Sequence, residues 1–198
     1  MRRRRGLAGG YDPWASTRRY ATIALVAASI AAWVVSHAVG RAYPEMAVIG
    51  PLHGDWWRIL TSEFAYANGL YAFLAIVATG IFGWLVERRH GPLVVLVLFI
   101  GAGSIGALVA SAVYPFPIVS GGNAGALALL MAWAAPDLVA ARRREYYEGD
   151  LLGAMAIAAL LLAIPYAYRE ASWLAGVSGA AIGLLFGLAL RREDAPEL

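Results

Sequence analysis

Six apolar stretches, each roughly 20 residues long, are separated along the chain by short polar or charged clusters. They fall at about 20–39, 68–86, 92–113, 122–140, 151–168 and 173–190. Some 20 consecutive apolar residues cross a ~30 Å hydrocarbon core, so the pattern predicts six transmembrane helices. Arginines precede the first stretch, as they would in a signal peptide. It is too long for the hydrophobic region of such a peptide, and five more stretches follow it, so it reads as a retained first helix. The expected organisation is an all-α membrane protein. A basic N-terminal segment covers 1–19, a six-helix membrane domain 20–190, and a short tail 191–198.

The segment between the first two stretches, from about Gly40 to Asn68, is too long for a tight turn and contains "PLHGDWWRILTSEF". Its paired tryptophans, Trp56 and Trp57, suit a membrane interface, where an indole buries its ring and keeps its N–H wet. The expected form is a partly helical insert lying in the outer leaflet. Small residues dominate the last stretch, where Gly179, Gly183 and Gly187 recur every four residues and so share one helix face. Such a stripe lets another helix backbone approach closely in lipid. The fourth stretch opens with Gly121, Gly122 and Gly125 and is the expected partner, with Asn123 as the cap of its helix.

Composition agrees. Hydrophobic residues make up 61% of the chain, charged residues 15%, and the mean hydropathy is +0.63, values of a multi-spanning membrane protein. The pI near 9.4 comes from arginine alone, since the chain has no lysine. No basic face recurs along a soluble segment, so no nucleic-acid partner is expected. The arginines are distributed asymmetrically. With the N-terminus inside, Arg2–Arg5, Arg18, Arg19, Arg88, Arg89, Arg142–Arg144, Arg191 and Arg192 are inside, and Arg41, Arg58 and Arg169 outside. That bias predicts both termini on the cytoplasmic side of a plasma (inner) membrane. There are no cysteines, and the only histidines, His37, His53 and His90, are scattered, so neither a metal site nor a cofactor is expected.

Taken in order, the motifs resemble those of the rhomboid family of intramembrane serine proteases, over about residues 20 to 190. "GDWWRILTSEF" is similar to the family's first-loop entry into the second span, with Trp57 and Arg58 at its Trp-Arg pair. "GWLVERRHG" resembles the exit from that span. "GNAGA" stands where the family has Gly-x-Ser-Gly, and "AGVSGAAIG" where it has Ala-His-x-x-Gly-x-x-x-Gly. The resemblance implies a six-helix rhomboid-like bundle, but not its chemistry. Ala124 stands at the nucleophile position and Gly176 at the position of the general base. Tyr66, Tyr71 and Ala75 stand where many family proteases carry His-x4-His-x3-Asn, whose last two members support the oxyanion. A methyl group has no lone pair with which to attack a carbonyl. Tyr71 retains a donor; Ala75 has none.

The expectation is therefore a rhomboid-like protein without the dyad, which binds or regulates transmembrane segments of client proteins in the bilayer and does not cleave them. An active protease with an unorthodox site is the first alternative, and Ser120 or Ser178 would then be the nucleophile. Each would need a base that the three histidines do not obviously supply. A small-molecule or lipid-handling protein is the second. The third, fifth and sixth spans contain no ionisable residue, which counts against a path for ions or protons.

Overall fold

The computed structural model describes residues 20–193. The basic segment 1–19 and residues 194–198 lie outside the described residues, as do the expectations placed on them. The chain forms α1 (Tyr20–Ala38), then a first loop built from α2 (Ala42–Met46), β1 (Val48–Ile49), α3 (Trp57–Thr61) and a 3-10 turn (Ser62–Phe64). α4 (Gly69–His90) follows. The third span is α5 (Pro92–Leu96), a π-helical turn (Val97–Gly101) and α6 (Ala102–Val113). β2 (Ile118–Val119), α7 (Asn123–Arg142), α8 (Leu151–Ala167) and α9 (Trp173–Glu193) complete it.

Local chemistry sets the ends. The Asn68 side chain accepts from the N–H groups of Leu70 and Tyr71 at 2.9 and 3.4 Å and starts α4. Gly91, at φ +88°, ends it, and Pro92 opens α5 in the first turn, where its missing N–H costs nothing. Asp150 caps α8 by accepting from Gly153 N–H at 2.9 Å. Five spans are at least 18 residues long, with mean hydropathy from 1.6 to 2.6. α8 has 17 residues, about 25 Å at 1.5 Å per residue. α9 runs on to Glu193, into the stretch read as tail.

The carboxylate of Glu87, near the end of α4, accepts from the N–H groups of Ala21 and Thr22 at 3.1 and 2.9 Å and from Thr22 Oγ1 at 2.6 Å. An anion here satisfies donors that the first turn of α1 leaves free. It also puts the start of α1 on the same face of the bundle as Arg88 and Arg89. α7 and α9 run parallel. The Cβ that Gly179, Gly183 and Gly187 lack would collide with the carbonyl oxygens of Ala124, Ala128 and Ala132 respectively. Each step of four residues on one helix meets a step of four on the other, so backbone lies against backbone. Pro136 has no N–H for the Ala132 carbonyl, which the approach of Gly187 leaves covered by helix.

α7 is the expected partner of the stripe, but it meets α9 through other residues. Gly122 and Gly125 do not face the α9 stripe. A Cβ at Gly122 would lie 2.7 Å from Phe99 Cζ, and one at Gly125 would lie 2.6 Å from Phe99 Cδ2. These glycines seat the Phe99 ring of the π turn, and the stripe opposite α9 is Ala124, Ala128 and Ala132.

The first loop is held to the bundle by a short antiparallel pairing, Val48 with Val119 and Ile49 with Ile118, extended by Gly50 N–H donating to Pro117 O at 2.8 Å. Trp56 and Trp57 remain exposed, and Arg58 pairs with Asp55 at 3.0 Å.

Candidate functional site

The residues that the resemblance sets at the nucleophile position and beside it lie where the loop after β2 turns into α7. Gly121 has φ +78°, a left-handed conformation that glycine adopts without strain. The turn brings four successive backbone N–H groups inward, and each has an internal partner. Ser120 N–H donates to Glu170 O at 2.9 Å and Gly121 N–H to Ser62 O at 2.7 Å. Gly122 N–H donates to the Tyr66 hydroxyl at 3.2 Å and Asn123 N–H to Gly121 O at 2.9 Å. An oxyanion hole needs donors aimed at the place where charge develops, and these are already engaged.

Tyr66 and Tyr71 fill the space beside them. Both are fully buried, with ring centroids 5.5 Å apart in an edge-to-face arrangement. The Tyr71 hydroxyl donates to Ser120 O at 2.7 Å, so the one donor left at the oxyanion positions is committed to backbone. Tyr71 also stacks on Tyr168, just beyond the end of α8, with centroids 6.4 Å apart. A Cβ at Gly121 would lie 2.5 Å from the Tyr71 hydroxyl. The glycines that open α7 are required by the two tyrosines and Phe99.

Ala124 and Ala75 are buried, 2% and 0% exposed, with only methyl groups to offer. The absent Cβ of Gly176 would point at Asn123 Nδ2, 3.1 Å away, and at Leu127 Cδ1, 3.3 Å away. Asn123 does not cap α7, contrary to expectation. The cap residue is Gly122, and Asn123 is the first helical residue, its side-chain amide buried with no hydrogen-bond partner. Its amide lies in the place toward which a side chain at 176 would project.

Among the described residues neither displaced serine is hydrogen-bonded to a base. Ser178 Oγ donates to Leu174 O at 2.8 Å, a bond within its own helix. Ser120 Oγ lies 3.1 Å from the Tyr43 hydroxyl and 3.5 Å from Glu170 O. Burial pushes the Tyr43 phenol above its ordinary value of 10.0, outweighing the Ser120 hydrogen bond, so it stays protonated near neutral pH and does not serve as a base. His37 Nδ1 contacts Trp33 O at 2.9 Å within α1.

Glu63 is the residue that sequence reasoning missed. It sits in the 3-10 turn of the first loop and is 1% exposed. Its carboxyl group lies directly over Gly103 of α6, where any side chain would collide with it. Burial pushes the group up to about 8, partly opposed by the Gly125 N–H, and neither oxygen has a hydrogen-bond partner of ordinary geometry. An acid in a short loop sequence reads as solvated; only Gly103, four residues after Phe99, marked a helix face able to receive it. Burial raises the neighbouring Tyr66 phenol as well.

The family model of the rhomboid domain matches residues 53–193, most of the chain, and the motifs named above fall within it. The chain belongs to the rhomboid family, and it is an integral, multi-pass membrane protein. No curated protein matches it.

Proposed function

We propose that this rhomboid-family protein holds transmembrane segments of client membrane proteins without cleaving them. The observation that carries the reading is the state of the α7 entrance. A methyl group stands at the nucleophile position and a hydrogen at the base position. The neighbouring volume is closed by Tyr66, Tyr71 and Phe99. What the fold retains is a lipid-facing surface along α4 and α8, where Phe73 and Tyr166 are 62% and 84% exposed. The family admits transmembrane helices beside its second and fifth spans. In this chain those spans are α4 and α8, and the Tyr71–Tyr168 stack joins them at one end.

The purified protein is expected neither to cleave model transmembrane substrates nor to react with fluorophosphonate probes. The double change Ala124→Ser, Gly176→His is expected to remain essentially inactive. Asn123 and Leu127 occupy the space of the new imidazole, Tyr71 is committed to Ser120, and Ala75 adds no donor. One missing oxyanion donor alone is worth about 100-fold or more in rate. Strong labelling of the unmodified protein, abolished by Ser120→Ala or Ser178→Ala, would overturn the reading. A photo-crosslinking residue at Tyr166 is expected to capture transmembrane segments, and one at the buried Tyr66 is not.

The same reading places both termini in the cytoplasm, supported by the arginine asymmetry. Single cysteines introduced at positions 3 and 195 are then expected to resist membrane-impermeant maleimide in intact cells. Labelling of either from outside would refute that orientation.

A further inference from the structure

On the arginine-rich face, a cavity of about 370 Å³ opens between the ends of α4 and α7 and the segment leading to α8. It is lined by Arg88, Arg89, Trp133, Asp137, Glu148 and Gly149, and its size lies within the ~300–1,000 Å³ of small-molecule sites. It is remote from the α7 entrance and takes no part in the function proposed above.

Asp137 is the unusual member. It is 8% exposed and lies in the C-terminal half of α7. Its Oδ2 has no hydrogen-bond partner, and it lies so close under Gly149 that any Cβ there would collide with it. A buried carboxylate oxygen without a partner is costly, and a neighbouring arginine would ordinarily provide one. Among the described residues no ion pair joins Asp137 or Glu148 to Arg88 or Arg89, although all four line the same cavity. Two cations and two anions thus share one pocket without neutralising each other. A ligand that carries both signs satisfies both sets.

We infer that this cavity binds the phosphoethanolamine headgroup of a membrane phospholipid, its phosphate on Arg88 and Arg89 and its ammonium on Asp137 and Glu148. Arginine matches phosphate oxygens two at a time. A primary ammonium offers three donors to the carboxylates; a quaternary choline offers none. A glycerol headgroup brings no cation and leaves Asp137 as unpaired as before. Trp133, on the wall, is of the residue type enriched at headgroup depth.

The test is native mass spectrometry of the delipidated full chain, titrated with phosphatidylethanolamine, phosphatidylcholine and phosphatidylglycerol of identical acyl chains. The ethanolamine lipid is expected to bind about tenfold tighter than the other two, the worth of one charge-assisted hydrogen bond. Asp137→Asn is expected to erase that preference and leave the weaker affinities unchanged. Glu148→Gln, at an exposed position that does not threaten folding, is expected to reduce it. Arg89→Gln is expected to weaken all three. Equal or tighter binding of phosphatidylglycerol by the parent would overturn the proposal, as would an undiminished preference in both acid variants. Displacement of the lipid by equimolar free glycerophosphoethanolamine would overturn its assignment to a lipid.

Discussion

Replacing Gly183 by leucine is expected to destabilise the protein severely. The direction in which a side chain at 183 would grow is occupied by the Ala128 backbone itself. A flexible side chain can swing aside; a helix carbonyl moves only with its helix. Overpacking a well-filled core costs about 1–3 kcal/mol, and a contact against backbone belongs at or beyond the upper end. In a chain of this size that lowers the melting temperature by several degrees. The parallel contact of α7 and α9 is also what holds the α7 entrance in place, so the variant should lose compactness there first. Gly101→Leu is the matched control, because a Cβ at 101 meets nothing within 4 Å. Thermal unfolding in detergent measures both. A Gly183→Leu protein as stable as the parent would show that the stripe does not face α7.

The second large effect concerns pH. In the unfolded chain Glu63 releases its proton near its ordinary value of 4.5, and in the folded chain burial holds it to about 8. Between those values the folded state binds more protons than the unfolded one, so raising the pH favours unfolding. The contribution of neutral Glu63 is complete below about 4.5, declines through the window and is gone above about 8. At ~1.4 kcal/mol per pH unit, the difference between the limits is on the order of several kcal/mol. Glu63→Gln keeps the size and polarity of the neutral acid and does not ionise. It is expected to flatten the decline of melting temperature between about pH 5 and about pH 8. An unchanged slope in that variant would assign the pH dependence to another group. The consequence lies in the first loop: ionised Glu63 has neither water nor a hydrogen-bond partner over Gly103, so alkaline pH is expected to loosen the 3-10 turn that holds Gly121 through Ser62.

These two residues show how unevenly the molecule was legible. The glycine stripe of α9 was plain, because a period of four on a helix is a statement about one face. Its partner helix is the expected one, but the residues of that helix that meet it are not. Glycines at 122 and 125 are as conspicuous as those at 179 and 183, yet they face Phe99, and the true partner is a row of alanines in a helix already rich in alanine. Small-residue content says that a close approach occurs; it does not say against what. Asn123 failed for a related reason. Asparagine is a good cap, but the left-handed Gly121 shifted the helix start by one residue and turned the amide inward. The two-stranded pairing of Val48–Ile49 with Ile118–Val119 had no sequence signal at all, being two residues long on each side.

By itself the sequence determined the membrane class, the six spans and the residue types at the positions that the resemblance assigns to nucleophile and base. Each of these depends on local quantities: the length of an apolar run against the thickness of a bilayer, and the atoms that a side chain does or does not possess. Only the tertiary structure decided what fills the space around those positions. That Tyr71 donates to Ser120, that the Gly121 and Gly122 amides are already bonded, and that Glu63 is buried over Gly103 are contacts between residues far apart in the chain. Their energies arise from removing polar groups from water and pairing them, or leaving them unpaired, inside a packed bundle. No window of sequence contains both partners, so the residue types alone left their roles open.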